Sequence, residues 1–282
     1  MLHLQLKLLT KEKFNLNIEW YTRLEELLRG GELHKPRGFL IKELLNQHFT
    51  VDMRYPILSI TERKLGYRFM VREAWWIMDG RNSVDTITNY SKAISTFSND
   101  GIHFDGAYGP RVVDQIRYIV DTLEKDPDSR QAVMTIWRPN PRESKDIPCT
   151  ISVQWFIRNG KIYCIDNMRS SDIWLGLPYD IFNFTMLTGY IMLCLKQRGI
   201  TLELGDISIN AGSQHIYEQH FEKAEAIVDR IPKFTQDYKP FNPYEFESPK
   251  ELKDYLKSLS EKDRDALQYF NSKFAQEFIL CG

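Results

Sequence analysis

The chain has 282 residues, 43% of them hydrophobic, and a formal net charge of −1. These values predict a folded protein with a sizeable core and exclude a disordered chain. Because there is no long basic run, they also argue against direct binding of a nucleic-acid polymer, while a nucleotide monomer stays open as a substrate.

No linker rich in Gly, Ser or Pro divides the chain, so we expect one domain over residues 1–282, with a helical C-terminal extension over about residues 246–282. The four cysteines show no CxxC spacing, which argues against a metal site and favours a reduced, cytoplasmic setting, or the host cytoplasm if the protein is viral. We expect no membrane segment, because the most apolar stretch, residues 186–195, is about half as long as a span requires.

Helical periodicity is found at several places in the first half of the chain. The predicted helices cover residues 18–28, which end at Gly30-Gly31, and residues 39–48, 67–78 and 111–124. The last of these is amphipathic and follows Gly109-Pro110.

The second half of the chain mixes strand and helix patterns. Strands are predicted over residues 132–137, 150–158, 162–167 and 206–210, with a hairpin turn at Asn159-Gly160. Helices are predicted over residues 178–195 and near the C-terminus, where Ser248 and Ser260 resemble helix starts. We therefore predict an α+β fold with a mainly antiparallel central sheet and surrounding helices.

Cys149 is a candidate nucleophile. On position alone, a small buried hydrophobic role is the commoner one for a free cysteine. Pro148 places Cys149 at a strand start, however, where its side chain can face a cleft. Nearby arginines would lower the pKa of the thiol and increase the thiolate fraction.

Several other polar residues have both an ordinary and a functional interpretation. Arg169-Ser170 suits a solvated strand end, but together with Arg37 and Arg130 it could bind phosphate. Asp180 suits an ordinary helix N-terminus. Glu73 is either an exposed residue or a carboxylate held among apolar neighbours. His215 and Tyr217 alternate, so both could lie on one side of a strand.

Taken together, residues from about 56 to 220 resemble the thymidylate synthase superfamily. The matching segments are Asp126-Pro127-Asp128-Ser129-Arg130, Pro148-Cys149, Arg169-Ser170-Ser171-Asp172, Leu175-Gly176-Leu177-Pro178, Gly205-Asp206 and His215-Ile216-Tyr217. Within the superfamily the chain is most similar to the deoxycytidylate (dCMP) 5-hydroxymethyltransferases. It has Thr150 where synthases usually have His, Asn167-Met168 before Arg169, and Ser213 where synthases usually have Asp.

The resemblance implies a substrate base. Asp180 stands where the synthases have an Asn whose amide pairs with N3–H and O4 of uracil. Cytosine presents an amino donor at N4 and a bare N3, and a carboxylate accepts from N4 and can favour a protonated N3. The resemblance thus implies that the enzyme converts dCMP to 5-hydroxymethyl-dCMP, a precursor for modified DNA. The reaction would use 5,10-methylenetetrahydrofolate and a covalent bond from Cys149 to C6 of the base.

The resemblance also implies roles for the remaining residues. Glu73 would organise water and proton transfer, and His215 with Tyr217 would hold the sugar 3′-hydroxyl. Asp172 would bind the pterin of the folate beside Gly176, at the border with the nucleotide. The phosphate of the nucleotide monophosphate would be held by Arg37, Arg169 and Ser170, and by Arg130 from the second subunit of a homodimer.

Other functions stay open at this point. The chain could methylate dCMP or dUMP, or hydroxymethylate CMP or dUMP. A non-catalytic nucleotide- or RNA-binding protein is a further alternative, against which the intact set of Cys149, Glu73 and Asp180 argues, because a binding protein needs no nucleophile.

Overall fold

The computed structural model describes residues 15–230 and 239–261. The helices are α1 (Leu16–Gly30), α2 (Tyr67–Met78), α3 (Asp85–Thr88), α4 (Tyr108–Lys125), α5 (Leu177–Lys196), α6 (Phe221–Val228) and α7 (Pro249–Glu261). The strands are β1 (Glu32–His34), β2 (Ile41–Asp52), β3 (Val133–Thr135), β4 (Thr150–Arg158), β5 (Lys161–Met168), β6 (Ser171–Asp172) and β7 (Glu203–Tyr217).

One sheet organises these strands in the order β1-β2-β7-β5-β4-β3, and β6 pairs with β7. The pairings β1–β2, β2–β7, β3–β4 and β4–β5 are antiparallel, whereas β5–β7 and β6–β7 are parallel. The prediction of an α+β fold with a mainly antiparallel sheet and surrounding helices is therefore confirmed.

Helix α5 lies against the sheet and is buried on almost every side. Its apolar residues pack on the inward-facing side chains of β4, β5 and β7, and Trp155 of β4 donates a hydrogen bond of 2.9 Å to Thr188 of α5. This packing holds the first turn of α5 at a fixed place near the starts of β4 and β6. Among the described residues, no helix is long and apolar enough to cross a membrane.

The helix predicted over residues 39–48 is wrong, because this segment belongs to β2. Its apolar residues at 41, 44 and 45 have helical spacing, yet the chain pairs with β7 from Ile41 to Asp52. Ile41, Phe49 and Val51 are buried, but the residues between Ile41 and Phe49 are half-buried or exposed, and Asn46 among them has a left-handed φ of 51°. The two-residue alternation that identifies a strand is therefore missing from the middle of β2.

The other predicted elements are found, some with different limits. The hairpin turn is confirmed, with left-handed φ values of 51° at Asn159 and 73° at Gly160. The strand predicted over residues 206–210 is much longer and continues to Tyr217 as part of β7. Ser248 precedes α7, and its hydroxyl accepts from the Glu251 amide at 3.2 Å, whereas Ser260 lies in the last turn of α7. The predicted C-terminal extension beyond residue 261 lies outside the described residues.

Candidate active site

A cavity of about 190 Å³ opens where α2, the start of α4, the loop before β4 and the first turns of α5 meet. Cys149, Glu73 and Asp180 all line it, as do Tyr108 and Asn183. Glu73 and Cys149 are 76 positions apart along the chain, and Cys149 and Asp180 are 31 positions apart. The fold brings these three residues, which the sequence singles out for chemistry, to one cavity.

Cys149 lies directly before β4 and is partly exposed to the cavity. The Arg169 side chain wraps around this loop, donating to the carbonyls of Pro148 and Ile147 at 2.9 Å each, and its Nη2 lies 3.9 Å from Sγ. Burial raises the pKa of the thiol to about 11, because the charge of Arg169 opposes that effect only in part. Arg169 thus lowers the pKa of the thiol, as predicted, but burial outweighs this effect and the net shift is upward.

Glu73 projects from α2 into the cavity. Asn183 of α5 donates to its Oε2 at 2.8 Å. Burial nevertheless raises the pKa of Glu73 to about 7, with the Asn183 hydrogen bond opposing the shift. A carboxyl group with a pKa near 7 can both accept and release a proton under neutral conditions.

We expect Glu73→Gln to stabilise the protein at neutral pH and above. Below its ordinary pKa of 4.5 the carboxyl group is protonated in the folded and the unfolded chain, but between 4.5 and about 7 only the folded chain holds the proton. The free energy of unfolding of the parent protein therefore falls across this window. The advantage of the Gln variant should grow to on the order of 3 kcal/mol above it. Urea unfolding between about pH 4 and about pH 8 measures the difference.

Glu143→Gln, at an exposed loop position, is the matched control and should show no such growth. A Glu73→Gln advantage that stayed constant over this range would contradict the shifted pKa of Glu73.

Asp180 lies in the first turn of α5, where its amide donates to the Gly176 carbonyl at 3.0 Å. A Cβ at Gly176 would lie 3.3 Å from the Asp180 Oδ2, so the absence of a side chain there leaves room for the carboxyl group. Burial raises the pKa of Asp180 well above its ordinary value, and the nearby carboxyl groups of Asp166, Glu73 and Asp172 raise it further. Burial and the neighbouring carboxyl groups thus both favour the neutral form of Asp180.

A second cavity of about 360 Å³ is lined by Arg37, Phe39, Leu175 and Tyr217, and Phe97 lines both cavities. His215 and Tyr217, both of β7, contact each other edge to face with ring centroids 5.2 Å apart. This confirms that the two side chains lie on one side of a strand.

Ser170 and Asp172 join this second region to the first. The Ser170 hydroxyl is 3.4 Å from Nδ1 of His215. Asp172 accepts from the amides of Trp174 and Leu175 at 2.8 Å each through Oδ1, whereas its buried Oδ2 has no hydrogen-bond partner within the described part of the chain.

Among the predicted site residues, Arg130, Arg169, Ser170, Asp172, Gly176 and His215 line neither cavity. Arg169, Gly176 and His215 contact the lining residues Cys149, Asp180 and Tyr217, and Ser170 and Asp172 contact His215 and Gly176. Within the described residues, no such contact is seen for Arg130. Its side chain is exposed, and its carbonyl accepts from Gln154 of β4 at 2.8 Å. Within one copy of the chain, Arg130 therefore does not line the candidate site.

Two residues that line the first cavity were missed from the sequence. Tyr108 begins α4, and its hydroxyl accepts from the amide of Thr150, the residue after Cys149, at 3.1 Å. Asn183 lies three residues after Asp180 and so on the same side of α5, a spacing that could have indicated it.

The structure also shows what accompanies Ser213, which stands where synthases usually have Asp. Glu43 of β2 lies opposite His215 in the register and accepts a short hydrogen bond from the Ser213 hydroxyl. The neighbouring strand thus supplies a carboxylate to this position.

A comparison with protein families supports these observations. A family model described as thymidylate synthase matches residues 19–255. This range contains every residue of both cavities.

Proposed function

Since the chain belongs to the thymidylate synthase family, we propose that it hydroxymethylates dCMP at C5, with 5,10-methylenetetrahydrofolate as co-substrate. The family carries out folate-dependent one-carbon transfer to pyrimidine nucleotides. The observation that carries the choice of base is the carboxyl group of Asp180, which lines the cavity that also contains Cys149.

The protonation of Asp180 supports cytosine as the base. A neutral carboxyl group accepts from the N4 amino group through one oxygen and donates its proton to N3 through the other. The raised pKa of Asp180 favours the form that holds this proton. Once N3 holds the proton, the ring draws electrons from C6 and becomes easier to attack, and a carboxylate remains to bind two N–H donors.

Cys149 is the proposed nucleophile. Its Sγ forms a bond to C6, the S–H proton passes to a water molecule, and the electron pair of the C5–C6 double bond moves to C5. The positive charge of Arg169, 3.9 Å from Sγ, favours the thiolate at this stage. Glu73, with a pKa of about 7, is the proposed group for moving protons between the ring, water and solvent.

The residues around the second cavity fit a folate. Phe39, Phe97 and Leu175 present exposed apolar surface that suits a flat ring system, and the unpartnered Oδ2 of Asp172 can accept from a ring N–H. When bound, the folate supplies the one-carbon unit that C5 accepts. Gly176 keeps the path between Asp172 and Asp180 clear of a side chain.

We further propose that Arg37, Arg169 and Ser170 bind the phosphate and that His215 and Tyr217 bind the 3′-hydroxyl. Synthases of this family are typically dimeric, so the exposed Arg130 would reach the phosphate of a partner subunit.

A mixing experiment tests the proposed exchange of Arg130. The variants Cys149→Ser and Arg130→Ala should each be inactive or nearly so, but a hybrid dimer contains one site with neither change. Random mixing after dissociation should therefore restore about a quarter of the parental activity. Activity no greater than the sum of the two separate variants would show that Arg130 does not act across subunits.

The whole proposal is tested by product analysis. The purified protein is incubated with methylenetetrahydrofolate and, separately, with dCMP, dUMP or CMP, and the nucleotide is analysed by mass spectrometry. We expect dCMP to gain the mass of CH₂O. A gain of CH₂ would indicate methylation, and turnover of dUMP or CMP alone would overturn the assigned base or sugar.

A further inference from the structure

Asn183 is a cavity residue to which the proposed reaction gives no role. It lies on α5, its side chain is 5% exposed, and it lines the same cavity as Cys149 and Glu73. Its Nδ2 donates to Oε2 of Glu73 at 2.8 Å, which joins α5 to α2 at the wall of the cavity. Residues 15–230 and 239–261 give the Glu73 carboxyl group no other hydrogen bond.

This contact determines how the Glu73 carboxyl group is oriented. The last torsion of a glutamate side chain has a broad, two-fold distribution, so an unrestrained carboxyl group can present either oxygen to a neighbour. Asn183 belongs to the buried helix α5 and occupies Oε2. Oε1 is therefore the oxygen that is left to accept a hydrogen bond from a molecule in the cavity.

The amide of Asn183 is unfavourable for packing alone. Its Oδ1 is buried and has no hydrogen-bond partner in the part of the chain that the structure describes. Its neighbours along α5, Phe182 and Phe184, are apolar and buried. Because a buried polar atom without a partner lowers stability, a leucine of nearly the same shape would suit the core better. What Asn183 offers and a leucine does not is the hydrogen bond to Glu73.

The last step of the proposed reaction requires a particular nucleophile. Once C5 holds the one-carbon unit, loss of the C5 proton and cleavage of the C–N bond to tetrahydrofolate leave an exocyclic methylene group on a ring still bonded to Cys149. The product hydroxyl forms when the oxygen of water attacks the methylene carbon and a proton leaves that oxygen. The electron pair of the exocyclic double bond then restores the C5–C6 double bond, the C6–S bond breaks, and the sulfur takes up a proton.

We infer that Asn183 is a positioning residue that directs Oε1 of Glu73 toward the water molecule whose oxygen becomes the hydroxyl of the product. This inference rests on the proposed function, in which water is the final nucleophile. Water is weakly nucleophilic and has to lose a proton as it attacks, so a base held in place favours it over a nucleophile that needs no base. The Asn183 hydrogen bond also opposes the rise that burial causes in the pKa of Glu73, which favours the form that can accept this proton.

The inference is tested by competition between water and an added thiol. The enzyme is incubated with dCMP, methylenetetrahydrofolate and 2-mercaptoethanol, and mass spectrometry gives the ratio of the thioether product to the product that gained CH₂O. In Asn183→Leu we expect this ratio to rise by roughly tenfold or more, because the thiolate form of the added thiol needs no base. Both products come from the same active molecules, so partial misfolding of the variant does not alter the ratio.

Further variants keep this test decisive. Asn183→Ala removes the donor without adding bulk and should cause the same rise if the Leu variant does not fold. Glu73→Gln should also raise the ratio, and Asn183→Leu added to it should cause no further rise, because Asn183 acts through the Glu73 carboxyl group. Thr185→Val removes another buried polar atom without a partner from α5, outside both cavities, and should leave the ratio unchanged. An unchanged ratio in both Asn183 variants, or a further rise in the double variant, overturns the inference.

A measurement without nucleotide separates this inference from the proposed function. The protein is labelled with ¹³C at the glutamate carboxyl carbon, and the Glu73 resonance is identified by its loss in Glu73→Gln. Its titration midpoint should be higher in Asn183→Leu than in the parental protein, because the donor that opposes the effect of burial is lost. An equal midpoint would overturn the inference even if no product formed. A parental product that gains only CH₂ would instead overturn the proposed function, whatever the midpoint.

Discussion

Cys149→Ser should lose turnover by roughly 10⁴-fold or more while retaining dCMP binding. Serine has nearly the shape of cysteine, so the cavity stays intact, but a hydroxyl group is a far weaker nucleophile toward C6. The contacts that we assign to the base and the phosphate do not involve the sulfur atom. Steady-state kinetics gives the loss of turnover, and calorimetry with dCMP should give a dissociation constant within a few-fold of the parental value.

Cys194→Ser is the matched control for this substitution. Cys194 is also partly buried, and burial raises its pKa to about 11 as well, but it lies near the other end of α5 and lines neither cavity. Its variant should keep full activity. Appreciable turnover by Cys149→Ser would remove the covalent mechanism, whereas an equal loss in both variants would point to general damage from thiol replacement.

The high pKa of Cys149 has a consequence for how the reaction begins. A thiol with a pKa of about 11 is almost fully protonated at neutral pH, so a preformed thiolate does not start the reaction. In the proposed reaction, protonation of N3 by Asp180 makes C6 more electrophilic and so lowers the demand on the nucleophile. We therefore propose that the two groups act as a pair, in which the acid activates the ring and the thiol attacks it.

The sequence predicted the parts of the site that short motifs encode. Cys149, Glu73 and Asp180 line one cavity, and His215 and Tyr217 lie side by side. Local signals made much of this predictable: Pro148 before the cysteine, the helix start near Asp180, and the alternation of side chains along a strand. The helix was wrongly predicted over residues 39–48 because this part of β2 lacks that alternation, with no buried residue between Ile41 and Phe49.

What the sequence did not predict depends on contacts between distant segments. The pKa of Cys149 is set by how deeply the loop is buried, and no local pattern measures burial. Tyr108 joins the site only because α4 packs beside the loop before β4.

Asp180→Asn should move the preference of the enzyme from dCMP toward dUMP, changing the ratio of the two kcat/KM values by roughly 10⁴-fold in the favourable case. An amide has no proton to transfer to N3, so cytosine loses its activation. Uracil needs no such proton, because its C4 carbonyl group already draws electrons from C6, and the amide can pair with N3–H and O4. The kcat/KM values for both nucleotides, measured with saturating methylenetetrahydrofolate, give the ratio.

Asp206→Asn serves as the control for this change of base. Asp206 is another partly buried acid whose pKa is raised by burial, but it lies on β7 away from both cavities. Its variant should prefer dCMP as strongly as the parental protein does. If Asp180→Asn also kept the preference for dCMP, the carboxyl group could not be what distinguishes the two bases. Selection would then have to come from the shape of the cavity, which Tyr108 and Asn183 also line.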